Sequence, residues 1–224
     1  MSAIFRLLSL TLLLTGPATG QIQNFDERLD RLEQLEYSGT PAEVERRIER
    51  LAAFIETASP AQKNRFTLLR ARAAAVTRRN DHAMALLERL LAERDGLRPE
   101  TELRALTLAA NLFIVSDQFE PGFQYFREAL ALVSRVQDPE ARAGIYSVAA
   151  GFHARIGESG TAAEYANKAI AEVDRASAPR MHCIALERRA RARLAMEETD
   201  AAMRDFREAT KLCDSVPDRV FGGT

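Results

Sequence analysis

The chain has 224 residues, 46% hydrophobic and 28% charged, so it carries enough apolar material for a buried core and enough charge to stay in solution. Its 31 basic and 32 acidic residues nearly cancel, which removes the electrostatic case for nucleic acid or an anionic membrane surface as partner. Val, Ile, Thr and Tyr never alternate over the length of a strand, and Arg, Ala, Glu and Leu dominate, so an all-α chain is predicted.

The first element, residues 1–20, reads as a secretory signal. Met1 to Arg6 carries one positive charge, Leu7 to Leu14 is a short apolar run, and Gly16 and Pro17 break it. Ala18, Thr19 and Gly20 then put small residues before a cut at Gln21. The alternative is an uncleaved anchor, although the run is short for a bilayer. No later stretch approaches the roughly 18 apolar residues of a membrane span, so none is expected in the mature chain. An exported location, periplasmic or secreted, follows from this reading.

From residue 24 onward the pattern predicts paired helices at 24–37 and 42–57, 61–78 and 81–95, 100–116 and 119–135, 140–156 and 160–176, and 180–197 and 200–215. Pro41, Pro60, Pro99, Pro139 and Pro179 open the first helix of a unit or its neighbour, where a missing N–H costs nothing. Three columns of small residues share one register. Ala71, Ala110, Ala150 and Ala190 are spaced 39, 40 and 40 apart. Ala83, Gly122, Ala162 and Ala202 keep the same steps, as do Leu90, Ala129, Ala169 and Ala209. Large residues stand between the last two columns at Leu87, Phe126 and Phe206, with Ala166 the exception. Small residues let two helices approach closely, and large ones fill the groove between successive hairpins. One hairpin cannot cover its own apolar face, so the units must stack.

The segments 106–113 and 117–130 carry these positions together: Ala110 and Phe113, then Gly122, Phe126 and Ala129. In this they resemble a tetratricopeptide repeat of the long variety, with about 40 residues per unit. Residues 157–170 and 199–212 repeat the second-helix half, while Arg193, Thr67 and Ala74 depart from the pattern. The resemblance implies a right-handed superhelical array of about five hairpins over 24–216, followed by a tail at 217–224. It implies a module that binds a protein or peptide rather than a catalyst. It is similar to the exported sensory regions of diguanylate cyclases and histidine kinases. The alternative role is therefore the periplasmic sensory part of a larger signalling enzyme whose catalytic domain lies beyond residue 224.

The chemistry-bearing residues agree with a non-catalytic reading. Three histidines show no metal-ligand spacing, and no nucleophile elbow or phosphate-binding glycine loop occurs, so no metal or cofactor is expected. His153 falls at a groove-filling position and reads as packed. Counted from the small columns, the inner faces of the first helices hold Arg65, Arg72, Arg104, Thr107, Asn111, Ser147, Glu187 and Arg191, with Leu68 and Gly151 beside them. Such a groove would receive a peptide, of acidic character if the arginines are used in bidentate bonds. The alternative is that these arginines pair with glutamates a turn away. Finally, Cys183 and Cys213 lie 15 residues either side of a turn centred near Glu198, which brings them level at the open end of the last hairpin. A disulfide is predicted, both residues facing inward; two free thiols packed as small core residues are the alternative.

Overall fold

The structure, a computed structural model, describes residues 25–33, 40–173 and 178–215. The predicted signal segment (1–20) and the predicted tail (217–224) lie outside the described residues. The described residues form helices and turns with no strand. The helices are α1 (25–33), α2 (Pro41–Ala52), α3 (Pro60–Val76), α4 (Asn80–Ala92), α5 (Pro99–Val115), α6 (Phe119–Leu132), α7 (Pro139–Arg155), α8 (Ser159–Glu172), α9 (Pro179–Ala195) and α10 (Thr199–Ser215). They pack as a consecutive array, each hairpin on the next.

The predicted prolines occupy the first turns of α2, α3, α5, α7 and α9. A proline also forces the residue before it out of helical geometry. Ser59, Arg98 and Asp138 are accordingly extended, and Ser59 and Asp138 use that conformation to cap. Ser59 accepts from the Gln62 amide, while the Gln62 side chain accepts from the Ser59 amide at 2.9 Å. The second helices predicted at 42–57, 81–95 and 119–135 run too long. After α2, α4 and α6 the chain tightens into single 3-10 turns at Ile55–Thr57, Arg94–Gly96 and Val133–Arg135. These use up the last carbonyls and release the backbone toward the next proline.

The small columns are where closeness demands them. Ala71, Ala110, Ala150 and Ala190 are buried, as are Ala83, Gly122, Ala162 and Ala202, and Leu90, Ala129, Ala169 and Ala209. A methyl at Gly122 would stand 3.1 Å from both the Ile114 and Phe113 side chains, so α5 and α6 touch there almost backbone to side chain. Replacing Ala150 by Leu therefore overpacks the α7–α8 hairpin and lowers stability by about 2 kcal/mol. Urea denaturation checks it; an unmoved midpoint would break the assigned register.

The turn inside each hairpin repeats with the same period. Arg78, Asp117, Gly157 and Glu197 all have positive φ, between 58° and 84°. Each is followed by an amide that bonds five residues back: Arg79 to Ala74, Gln118 to Phe113, Glu158 to His153 and Glu198 to Arg193, at 2.8–2.9 Å. This is a Schellman turn, which favours glycine at its left-handed position. Only Gly157 supplies one. A methyl added there meets nothing within 4 Å, so Gly157→Ala isolates the backbone term and costs about 1 kcal/mol. Glu197→Gly and Arg78→Gly move the other way by a similar amount. Chemical denaturation of the three variants measures the set, and a stabilised Gly157→Ala would contradict it.

Candidate functional site

Consecutive first helices pack directly on one another, α3 on α5, α5 on α7 and α7 on α9. Consecutive second helices do not meet to any comparable extent. The first helices are thus the closely spaced layer, taken as the inner one.

The predicted groove residues divide on that layer. Arg65 is clamped by α1: its Nε donates to Glu33 at 2.7 Å and its Nη2 to Asp30 at 2.6 Å. The hydrogen bond to Glu33 is the largest cause of a guanidinium held above its ordinary value, against the opposing effect of burial. Arg104, on α5, donates to Asp138, the capping residue of α7. Burial pushes the Asp138 carboxyl up, but Arg104 and the amides of Ala141 and Glu140 outweigh it and hold it below its ordinary value. Its stabilising effect is present above the ordinary carboxylate range and is lost as pH falls through the depressed value. Arg191 donates to Glu187 at 2.6 Å within one turn of α9. The Thr107 hydroxyl donates to the Leu103 carbonyl at 2.7 Å. Arg72 and Asn111 are half-buried on the same layer.

Two assignments need correction. Ser147 is 5% exposed and its hydroxyl lies against Met181 of α9, so it packs between first helices and does not face the groove. Leu68 is likewise core, 5% exposed. A small side chain on the inner face is covered as soon as the next first helix closes over it.

The position that seemed to depart from the pattern, Arg193, has a structural reason. Across the hairpins, one pair of facing positions changes character. It is Ala74 with Leu86 in the α3–α4 hairpin, and Phe113 stacked on Tyr125 at 5.7 Å in the next. It is then His153 stacked on Tyr165 at 5.2 Å, and finally Arg193 bonded to Asp205 at 2.8 Å. Asp205 is buried and also accepts two bonds of 2.8 Å from Arg189. An ionic cluster thus replaces a ring stack in the last hairpin. His153 is half-buried as part of the ring cluster, its Nδ1 also 2.7 Å from Glu158. His182 Nδ1 donates to the Val173 carbonyl at 3.3 Å, and His82 is exposed.

Cys183 and Cys213 stand at disulfide-bonding distance and are joined, with Cα atoms 5.8 Å apart. Only Cys183 is buried. Cys213 is exposed, a correction to the inward placement, because nothing packs beyond α10 among the described residues at that end.

Inspection by period alone missed Arg188. Its column runs Leu69, Leu108, Val148, Arg188, three apolar members and then a cation, and that break in character was the available signal. No helix among the described residues is long and apolar enough to cross a membrane. Compared with known proteins, the chain matches no family model, no curated protein and no solved structure.

Proposed function

We propose that the chain is a non-catalytic binding module of tetratricopeptide type, exported to the periplasm, whose inner layer of first helices receives an extended protein segment or peptide. The observation that carries this reading is the inner layer itself: directly stacked first helices presenting half-buried polar side chains, Arg72 and Asn111 among them. A right-handed superhelix is the expected course of such a stack. The joined Cys183 and Cys213 support an oxidising compartment, where disulfides persist.

Of the groove arginines, Arg65 and Arg104 are tied to carboxylates of neighbouring hairpins, so their exchange would test folding before binding. Arg191, exposed and paired only within one turn of its own helix, is the better probe, and Arg72 extends the test to α3. A photo-crosslinking residue at Asn111 is expected to capture a periplasmic partner, while the same group at exposed Gln124 on α6 does not. The double exchange Arg72→Glu, Arg191→Glu should weaken that partner roughly tenfold or more, the worth of one charge-assisted bond, with helicity unchanged. Equal capture from Asn111 and Gln124 would move the binding face away from the groove.

A further inference from the structure

Arg188 is the cation of the inner layer whose surroundings fit no structural purpose. Its guanidinium lies across α7 where Gly151 has no side chain: a methyl there would stand 3.4 Å from both Cζ and Nη1. Among the described residues it meets no carboxylate at ion-pair distance and donates no hydrogen bond. The arginines around it are engaged. Arg155 is paired with Asp117, Arg191 with Glu187, and Arg189 with Asp205. Burial holds the Arg188 guanidinium below its ordinary value; the charges of Arg191 and Arg155 push the same way, and Glu187 opposes them. A cation set among cations and largely out of water is costly to the unliganded fold. The preceding hairpins avoid that cost with Leu69, Leu108 and Val148 at the same position. A residue that departs from the local rule and leaves a half-buried charge uncompensated between α7 and α9 is the mark of a binding function.

We propose that Arg188, seated over Gly151 and flanked by Arg155 and Arg191, anchors a carboxylate side chain carried into the groove by an acidic peptide. Three features fit that ligand. The planar guanidinium has its donors unclaimed, and a carboxylate takes two of them in parallel. Gly151 leaves the room in which the guanidinium itself lies, so that α7 holds it in place for the incoming group. Arg155 and Arg191 raise the positive potential without competing for geometry, because their own partners already hold them. The proposal rests on the groove reading above and narrows it to one point on α7 and α9.

The test uses the full mature chain with its arginine Nε–H signals observed by NMR. The probe is a blocked peptide of four glutamates, with its glutamine counterpart and inorganic phosphate as comparisons. The Arg188 signal is expected to move saturably with the glutamate peptide and not with the glutamine one. Arg188→Gln should weaken binding about tenfold, and Arg188→Lys should recover only part of it, since an ammonium cannot bond in parallel. Arg188→Leu should raise the denaturation midpoint while losing the peptide, a combination that a purely structural arginine would not give. Gly151→Ala, which crowds the guanidinium, should reduce binding with helicity intact. Unchanged affinity in Arg188→Gln, or a wild-type chain that ignores the glutamate peptide, overturns the anchor. Phosphate moving the Arg188 signal at lower concentration than the peptide overturns the carboxylate assignment. If Arg188→Gln binds normally but Arg72→Glu with Arg191→Glu does not, the anchor fails and the groove stands. If neither variant loses affinity, both fail.

Discussion

Reduction of the Cys183–Cys213 bond is expected to lower the stability of the last hairpin by about 3 kcal/mol. The bond closes a segment with a sequence separation of 30, for which the chain-entropy model gives roughly 3–4 kcal/mol. Position adds to the effect. In a stacked array each unit is held by its neighbours, and α9 and α10 form the last hairpin described. At their open end, far from the Schellman turn at Glu197, Leu186, Ala209, Leu212 and half-buried Ile170 pack around Cys183 and join α10 to α9. Reduced protein should therefore unfold in two steps, the C-terminal hairpin separating at lower denaturant than the rest. The double variant Cys183→Ser, Cys213→Ser should behave like reduced wild type, and reductant should not affect it. Denaturation followed by circular dichroism, with and without reductant, reads this directly. A wild-type midpoint indifferent to reductant would show that the bond holds nothing that packing does not.

The second large effect is expected from Asp205→Ala, about 3 kcal/mol. Asp205 is 4% exposed and accepts from both Arg189 and Arg193. Removing it leaves two half-buried guanidinium groups facing each other, and breaking a buried pair from one side typically costs 3–5 kcal/mol. The lower end applies because Arg189 keeps its bond to Asn167 at 3.0 Å and both arginines reach solvent. Pairing His at 193 with Tyr at 205 rebuilds the stack of the preceding hairpin and should recover part of the loss. Equilibrium unfolding of Asp205→Ala, Asp205→Asn and the Arg193→His, Asp205→Tyr pair separates charge from shape. If Asp205→Ala unfolds at the wild-type midpoint, the cluster is not structural and must be sought among the binding residues.

What was legible beforehand, and what was not, follows from the range of the interactions. The helices were legible because each is announced locally, by a proline at its start and by Ala or Gly at fixed steps within it. Ala150 and Gly122 could be placed against a neighbouring helix from spacing alone. The helix ends were less so: the 3-10 turns after Ala52, Ala92 and Leu132 depend on how far the next proline pulls the backbone, which no residue type declares. The groove was half legible. Arg65 and Arg104 were assigned to the inner face, but their partners Glu33 and Asp138 lie on adjacent hairpins, more than 30 residues away. Periodicity places a side chain on a face and says nothing of which carboxylate comes to meet it. Arg193 looked like a flaw when read against a ring at the same position. It becomes intelligible once Asp205 is seen opposite, because the exchange is in the pair and not in either member.

Under load, an array built this way has a soft direction. Its inner helices touch in an unbroken row from α3 to α9, while the outer helices hang from them with little contact among themselves. Material near a continuous row resists stretch, and material beyond it can fan apart or close. The chain should therefore bend about its inner row as a bow bends about its grip, and a segment seated against that row would set the curvature of everything outside it.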